Sequence, residues 1–399
     1  MKVLHTSDWH LGQEFHTYDR TREHISFLHQ LRNIVSEEKP DLMVISGDIY
    51  HTAAPSNSVM RLFVEHLDAI RQACPSMMIV VTAGNHDGSS RLEVNRSLWS
   101  HLGVTVLGRI ERKDAGPDFD RHILPVTSPD GVLTGYVVAL PHVFPHSFPQ
   151  VEEDTPREER QRVFMRHLGN RLRKVNPDGL PVVMMAHLAV AGSDYTGHDQ
   201  SRGGMDFIDA SELEVPYDYL ALGHIHCPQT LNAGRERYCG SPIPVSFDED
   251  YQHSVTVVEL EKGQEPVIRT VDIDNPVPLY TIPEEPAVFE EVLALMEDFP
   301  ADRPGYIRLN VSLEDVPPAN AMQRAAEALK GKQARFCTIR WHRPVQSVVR
   351  SDERVMDVEE IRAMSPMELA AMHYEEKYGA AMPEEIIRLL EEAVNEVNQ

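Results

Sequence analysis

Short runs of apolar residues, each followed by polar residues, recur along the first three-fifths of the chain. The runs are Val3–Leu4, Leu42–Ile45, Met78–Val81, Val182–Met185 and Tyr219–Leu222. Such short apolar runs are typical of buried strands, and open α/β sheets place their chemistry in the loops that follow the carboxyl ends of strands. We therefore expect the ends of these five strands to bring polar side chains together at one edge of the fold.

Stripes of apolar residues at helical spacing lie between the first strands. One stripe covers residues 21–36, and another follows an N-cap signal at Ser56. The stripes consist of Ile25, Leu28, Leu31 and Val35, and of Val59, Phe63, Leu67 and Ile70. Because parallel strands need long crossover connections, this alternation predicts a parallel sheet. Short runs from residue 182 to about residue 260, including 255–260, predict a second sheet.

The last third of the chain predicts two further pieces. Beyond a Pro-rich boundary near residues 275–278, the pattern predicts helices over 288–296 and 319–329 and strands over 306–311 and 334–341. This is a small α/β module, and it is locally rich in arginine. A linker-like stretch over 351–357 then leads into two amphipathic helices, which either dock on a partner or fold back on their own domain.

The polar residues at the strand ends suit a metal site. Their donors are carboxylates, imidazoles and one carboxamide, without a thiolate, which favours manganese, iron or zinc. Seven donors exceed one octahedral shell, so we expect two cations about 3.5 to 4 Å apart, bridged by Asp48. A single Asp-x-His or strand-end histidine is usually an ordinary turn or packing residue, and His187 alone is the weakest candidate. The candidate ligands are Asp8, His10, Asp48, Asn85, His187, His224 and His226.

The sequence motifs around these residues resemble those of the calcineurin-like metallophosphoesterase superfamily and, within it, those of the SbcD family of bacterial nuclease subunits. The matching segments are Thr6-Ser-Asp-Trp-His-Leu-Gly12, Ser46-Gly-Asp-Ile-Tyr-His51, Gly84-Asn-His-Asp87, Ala221-Leu-Gly-His-Ile-His226 and Tyr238-Cys-Gly-Ser-Pro242. The resemblance implies an α/β fold: a two-sheet sandwich flanked by helices, with a small α/β capping domain and a C-terminal helical tail. It implies domains over residues 1–275, 276–345 and 346–399.

The resemblance also implies roles for individual residues. Asp8, His10, Asp48 and His226 would hold the first metal, and Asp48, Asn85, His187 and His224 the second. Phosphodiester hydrolysis needs charge neutralisation, hydroxide near neutral pH and a proton for the leaving oxygen. Two cations supply the first two, and His86 beside the scissile phosphate supplies the proton. We expect Asp87 to orient the His86 ring and keep it protonated, and His51 to position the DNA backbone.

Composition limits the partners. The chain has 399 residues, enough for two or three domains, and a formal charge of −24, which repels DNA at long range. Arg91 and Arg96 form either a local positive rim or an ordinary solvated helix face. The resemblance supplies a further partner: an SbcC-like ABC-class ATPase with a coiled coil, in a heterotetramer built on a homodimer of this chain. Four cysteines without paired spacing, and no leader or membrane segment, predict a cytoplasmic location.

These observations predict a two-metal, manganese-dependent DNA exonuclease and endonuclease, with Mg²⁺, Fe²⁺ or Zn²⁺ as other possible ions. Within an ATP-dependent SbcC-SbcD complex it would process DNA ends and hairpins in repair and recombination. The alternative is a stand-alone phosphodiesterase or phosphatase acting on a small nucleotide or a phosphoprotein. The capping module and the helical tail favour the nuclease, because a small-substrate enzyme needs neither. A non-enzymatic scaffold is disfavoured by the complete ligand set.

Overall fold

The computed structural model describes residues 1–113, 116–195, 207–313 and 317–343, together with 370–371, 374, 382–383 and 386–387. The chain divides into two compact units, Met1–Arg343 and Pro344–Gln399. The predicted helical tail belongs to the second unit and lies largely outside the described residues. No helix in the described part of the chain is long and apolar enough to cross a membrane.

The described residues form nineteen strands and seven α-helices. The strands are β1 Lys2–Thr6, β2 Glu14–Phe15, β3 Tyr18–Asp19, β4 Leu42–Ser46, β5 Met78–Thr82, β6 Val104–Leu107, β7 Arg112–Lys113, β8 Gly116–Pro117, β9 Ile123–Thr127, β10 Leu133–Ala139, β11 Val182–His187, β12 Tyr219–Gly223, β13 Gln229–Leu231, β14 Glu236–Tyr238, β15 Ser254–Glu259, β16 Val267–Asp272, β17 Leu279–Val288, β18 Gly305–Ser312 and β19 Ala334–His342. The helices are α1 Thr21–Glu38, α2 Asn57–Ala73, α3 Ser89–Leu92, α4 Arg96–His101, α5 Arg160–Val175, α6 Phe289–Asp298 and α7 Ala321–Ala328. Short 3₁₀ turns cover Phe119–His122, Pro145–Ser147, Arg157–Glu159, Ala210–Leu213 and Asn232–Gly234.

The first large sheet has the strand order β16-β15-β1-β4-β5-β6. Its strands β1, β4, β5 and β6 are parallel, as the strand and helix alternation predicted. The prediction that residues 255–260 belong to the second sheet is wrong. They form β15, which pairs antiparallel with β1, with Leu4 opposite Val257. An apolar run specifies a buried strand, but not which neighbour it pairs with.

The second large sheet has the order β13-β14-β12-β11-β10-β9. Strands β10, β11, β12 and β14 are parallel, and β9 and β13 add antiparallel edges. This sheet begins at Ile123, earlier than the predicted start at residue 182. The carboxyl ends of β11 and β12 therefore lie in the centre of the sheet.

The two sheets pack face to face and are covered by helices on their outer faces. Apolar residues of both sheets, including Val44 of β4 and Val183 of β11, share one buried cluster. Phe27 of α1 and Phe63 of α2 pack on the first sheet, while Phe164 of α5 packs on the second. Burial on both faces explains why the parallel strands are apolar throughout. The predicted two-sheet sandwich flanked by helices is confirmed.

The capping module forms a three-stranded parallel sheet in the order β17-β18-β19, with α6 and α7 packed on it. The four predicted elements of this module are present, and β17 is an additional strand. Polar contacts join the module to the two-sheet sandwich. The Tyr306 hydroxyl donates to Glu23 at 2.6 Å, and Arg308 Nη1 lies 2.8 Å from Asp248 Oδ1. The predicted boundary at residues 275 and 276 stays a prediction.

A buried histidine on α1 makes the stability of the fold depend on pH. Burial, assisted by the Arg20 charge, lowers the pKa of His24 from 6.5 to about 3. Below pH 6.5 the unfolded chain binds a proton that the folded chain does not bind. The free energy of unfolding should therefore be unaffected by His24 above pH 6.5. It should fall between pH 6.5 and 3, by up to about 1.4 kcal/mol per pH unit.

We expect the substitution His24→Leu to reduce the loss of stability between about pH 7.5 and about pH 5 by removing this proton linkage. Urea unfolding at the two pH values measures the difference. His29→Leu, at an exposed position of the same helix, serves as the control for replacing a histidine by leucine. An equal pH dependence in wild type and His24→Leu would contradict the prediction.

Candidate metal centre

The carboxyl ends of both large sheets bring the seven predicted ligands together. Asp8 and His10 follow β1, Asp48 follows β4 and Asn85 follows β5, whereas His187 ends β11. His224 and His226 follow β12. The donor atoms of Asp8, His10 and His226 lie within 4.8 Å of one another, as do those of Asp8, Asp48 and His187. Ligands from two different sheets thus meet at one rim, and all but Asn85 are buried.

Asp48 lies between two groups of donors. Its Oδ2 is 3.7 Å from His10 Nε2 and 3.4 Å from His187 Nε2. On the His10 side, His10 Nε2 and His226 Nε2 are 3.2 Å apart. This position supports Asp48 as the carboxylate that would bridge the two cations.

Asn85 completes the second group. Its Oδ1 lies 2.9 Å from His187 Nε2 and 3.1 Å from His224 Nδ1. The carboxamide oxygen, two imidazoles and the Asp48 carboxylate therefore face a common volume. These four residues are the second ligand set that the family resemblance implies.

The loops that carry the ligands have unusual backbone conformations. Asp8, His10, Asp48 and His224 all have positive φ, at 54°, 44°, 50° and 100°. Non-glycine residues rarely adopt this region, at a cost of roughly 1 to 3 kcal/mol each, and such residues cluster at functional sites. The fold therefore holds these side chains in place at the expense of backbone strain.

Glycines in the motifs let the strand ends approach closely. A Cβ on Gly84 would overlap the Asp48 carboxylate, and a Cβ on Gly223 would overlap the Ser46 carbonyl oxygen. Ser46 belongs to the first sheet and Gly223 to the second. The absence of a side chain at Gly223 therefore lets the two sheets approach each other, and the absence of one at Gly84 leaves room for the Asp48 carboxylate.

Hydrogen bonds fix the orientation of two of the imidazoles. His187 Nδ1 donates to the Ser46 carbonyl oxygen at 2.8 Å, which leaves Nε2 directed at Asp48 and Asn85. His226 Nδ1 lies 3.2 Å from Glu249 Oε1, which orients its Nε2 toward His10. A hydrogen bond to the second ring nitrogen is the usual support of a metal-binding histidine.

Charge and burial set the protonation of the ligands. Burial lowers the pKa of His10 well below its ordinary value, so its imidazole is neutral. Burial raises the pKa of Asp48, but His187, His10 and His86 outweigh it and keep the pKa well below the ordinary value. Burial lowers the pKa of His187, but Asp48 and Asp8 raise it to about 9. A divalent cation would compete with that proton for His187 Nε2.

His86 and His51 lie beside the first group of donors. Donor atoms of His10, His51 and His86 lie within 4.8 Å of one another. His86 Nδ1 donates to the His51 carbonyl oxygen at 2.9 Å, and the His86 backbone amide donates to Asp48 at 2.9 Å. The His86 ring is therefore held by the loop that carries Asp48.

The expectation that Asp87 orients the His86 ring is wrong. The Asp87 carboxylate accepts hydrogen bonds from the backbone amides of Gly84, Ile49 and Tyr50, at 2.9, 3.1 and 2.9 Å. Asp87 thus fastens the loop after β5 to the loop after β4. Burial and the nearby Asp48 charge raise the pKa of Asp87 to about 7 despite these donors. The side chains of adjacent residues in a tight turn point in different directions. Proximity in the sequence therefore does not show that two side chains are in contact.

Sequence reasoning missed two residues near the ligands. Glu249 is buried and accepts hydrogen bonds from Ser241 Oγ and the Val245 amide, at 3.0 and 3.2 Å, in addition to its contact with His226. His142 follows the end of β10, and its Nδ1 donates to the His187 carbonyl oxygen at 3.1 Å. The other candidates were polar residues that follow the carboxyl end of a strand, and His142 meets the same criterion. No sequence signal distinguishes Glu249 from the acidic residues on either side of it.

Several arginines have partners other than nucleic acid. Arg308 and Arg340 of the capping module both pair with Asp248. The Arg335 guanidinium lies 5.2 Å from the centre of the Tyr18 ring, in a cation–π contact. Arg96 pairs with Glu111. These side chains make contacts within the protein. They therefore add little unpaired positive charge near the metal centre.

The donor set fits two divalent cations. Two carboxylates, a carboxamide oxygen and four imidazoles converge in two groups that share Asp48. His187 and His226 direct their Nε2 atoms inward, an arrangement that needs a proton or a cation between the donors. The mixture of oxygen and nitrogen donors suits manganese, iron or zinc.

We expect Glu249→Gln to weaken metal binding about 10- to 100-fold, because the charged partner that orients His226 is lost while the side-chain size is kept. Calorimetric titration of metal-free protein with Mn²⁺ measures the affinity. Asp250→Asn, at the exposed adjacent position, is the matched control and should bind metal as the wild type does. Equal affinities for Glu249→Gln and wild type would refute this role of Glu249.

Two family models match the chain. Residues 1–228 match the family model of calcineurin-like phosphoesterases. Residues 275–378 match the family model described as the type 5 capsule protein repressor C-terminal domain. Together the two matches cover the sandwich up to β12, the capping module and part of the tail, and leave residues 229–274 unmatched.

Similar proteins are nuclease subunits. The chain is 33% identical over 347 residues to the SbcD component of the SbcCD nuclease of Rhodobacter capsulatus, covering 82% of this chain and 85% of that protein. It is 29% identical over 412 residues to the SbcD protein of Bacillus subtilis, covering 100% and 99% of the two chains. Identity to the SbcD protein of Escherichia coli K12 is 27% over 344 residues, with 82% of each chain covered. The chain therefore belongs to the calcineurin-like phosphoesterases and, within them, to the SbcD nuclease subunits, which makes it a metal-dependent phosphodiester hydrolase.

Proposed function

We propose that this protein is a manganese-dependent DNA exonuclease and endonuclease that uses two metal ions. It would act in the cytoplasm as a homodimer within a heterotetramer with an SbcC-like ABC-class ATPase, and would process DNA ends and hairpins in repair and recombination. The observation that carries the proposal is the pair of donor groups that share Asp48, with His86 and His51 beside them.

The two groups of ligands divide the work of hydrolysis. Asp8, His10, Asp48 and His226 would hold one cation, and Asp48, Asn85, His187 and His224 the other. When bound, two such cations neutralise the phosphodiester and make hydroxide available near neutral pH. Asp48 keeps its negative charge at working pH and draws both groups together.

His86 is proposed to give a proton to the leaving oxygen. Its Nδ1 is engaged with the His51 carbonyl oxygen, so Nε2 is the atom available for proton transfer. General acid catalysis of this kind is typically worth about 10²- to 10⁴-fold in rate. His51 is half-buried on the same side, where its ring supports a role in positioning the phosphate backbone.

Two features of the described surface support the assembly. Val94, Leu98 and Leu102 recur at a spacing of four residues around α4 and are exposed, at 71%, 63% and 40%. Such a stripe fits an isologous contact between two copies of the chain. The chain carries a charge of −24, and several arginines are paired internally. A partner that supplies positive charge would therefore help DNA to reach the metal centre.

We predict that His86→Ala keeps its metals but loses cutting, whereas Asp48→Ala loses both. The reason is that His86 would act on the leaving oxygen, while Asp48 is shared by both donor groups. Cutting is measured on labelled hairpin and linear duplex DNA, with and without Mn²⁺. Metal binding is measured by calorimetry. Wild-type protein that cleaves small phosphodiesters but neither DNA would favour the stand-alone phosphodiesterase instead.

The helical tail is proposed to dock on the base of the ATPase coiled coil. Removal of residues 352–399 should abolish association with the ATPase and spare metal-dependent cleavage by the isolated chain. Co-purification of the two proteins measures association, and cleavage of a linear duplex with Mn²⁺ is the control. Unchanged association would refute docking and would leave the helices folded back on their own domain.

A further inference from the structure

A cleft opens next to the second donor group, on the side formed by the end of β10. The space between its walls is about 520 Å³, including the part that is open to solvent. His187 and His224, both proposed metal ligands, form one wall. A substrate whose phosphate lies at the metal centre would therefore extend its neighbouring group into this cleft.

The chemistry of the walls disfavours a phosphate as the occupant. The described residues that line the cleft include no carboxylate, lysine or arginine. Leu140 and Phe148 are buried and form a fixed apolar floor. A neutral, flat and largely apolar group fits such walls better than a charged sugar-phosphate backbone does.

An exposed aromatic ring stands at the cleft. Phe144 is 41% exposed, although the neighbouring Phe148 is buried. The His146 ring stacks on Phe144, with ring centres 5.7 Å apart and planes at 20°, and the His142 ring meets Phe144 edge-on at 4.9 Å. These contacts hold the Phe144 ring in place. Bases that leave the helical stack are commonly received by aromatic side chains placed in this way.

Two polar groups could read the edge of such a ring. His142 is anchored through Nδ1, and its Nε2 is buried without a hydrogen-bond partner among the described residues. Gln161 of α5 adds a carboxamide to the lining. A nucleobase carries donors and acceptors on its edge and has a flat face, so it can satisfy these groups and also stack on Phe144.

We propose that this cleft binds the nucleobase adjacent to the scissile phosphate, unstacked from its neighbours. Phe144 supplies the stacking surface, and His142 and Gln161 supply hydrogen bonds to the edge of the base. The assignment rests on the proposed function, because it takes the phosphate to lie at the metal centre. It deepens that function by explaining why cleavage would favour ends and hairpin loops, where bases leave the stack most easily.

The test compares small esters that differ only in the presence of a nucleoside. The substrates are the 3′ and 5′ para-nitrophenyl phosphates of thymidine, together with methyl para-nitrophenyl phosphate, which lacks a base. Phe144→Ala should lower kcat/KM for the thymidine esters roughly 5- to 100-fold, the usual worth of base–aromatic stacking, and leave the methyl ester unchanged. Phe144→Trp should restore the thymidine activity. Leu295→Ala, an exposed apolar position on α6, should have no effect.

A binding measurement gives a readout without turnover. Calorimetry with thymidine monophosphate and with methyl phosphate should show that Phe144→Ala loses affinity for the nucleotide only. The proposal is overturned if Phe144→Ala leaves the thymidine esters unchanged, or if it slows both classes of ester by the same factor. Failure of the nuclease function has a different signature: the wild type would discriminate between the esters but would cut no DNA.

Discussion

The close approach of two β-sheets at their carboxyl edges is the constraint on which the rest of this structure depends. The His187 ring of the second sheet donates to the Ser46 carbonyl oxygen of the first sheet, at 2.8 Å. Gly47 and Gly223 leave no room for a side chain at this junction, because a Cβ on Gly47 would overlap the His187 ring and a Cβ on Gly223 would overlap the Ser46 carbonyl oxygen. A larger residue at either position would push the sheets apart and separate Asp48 from His187. The metal centre is thus a property of how the sheets pack, and no single strand or loop contains it.

Burial then makes this junction an unusual electrostatic environment. Carboxylates and imidazoles removed from water must neutralise one another, bind protons or bind cations. Asp48 remains ionised because imidazoles surround it, and Glu249 has its pKa held below the ordinary value despite burial by its contacts with His226. The positive φ of Asp8 and Asp48 is the backbone cost of this arrangement. The surrounding packing provides the stability that offsets it.

The predictions that failed did so for a common reason. Residues 255–260 form a strand as expected but join the first sheet, and Asp87 fastens two loops instead of orienting His86. Glu249 lies beside the ligands without any motif to mark it. Strand pairing and side-chain direction depend on contacts between distant segments, and the local periodicity of the chain carries no information about them.

The sequence by itself determined the kinds of element, their alternation and the chemistry of the strand ends. Buried strands and amphipathic helices impose their own periodicities, and metal chemistry restricts the donor types, so both can be read from residue order. Only the tertiary structure decided that Glu249 supports His226 and that a cleft with an exposed Phe144 adjoins the centre. These are distances between residues far apart in the chain, and packing alone sets them.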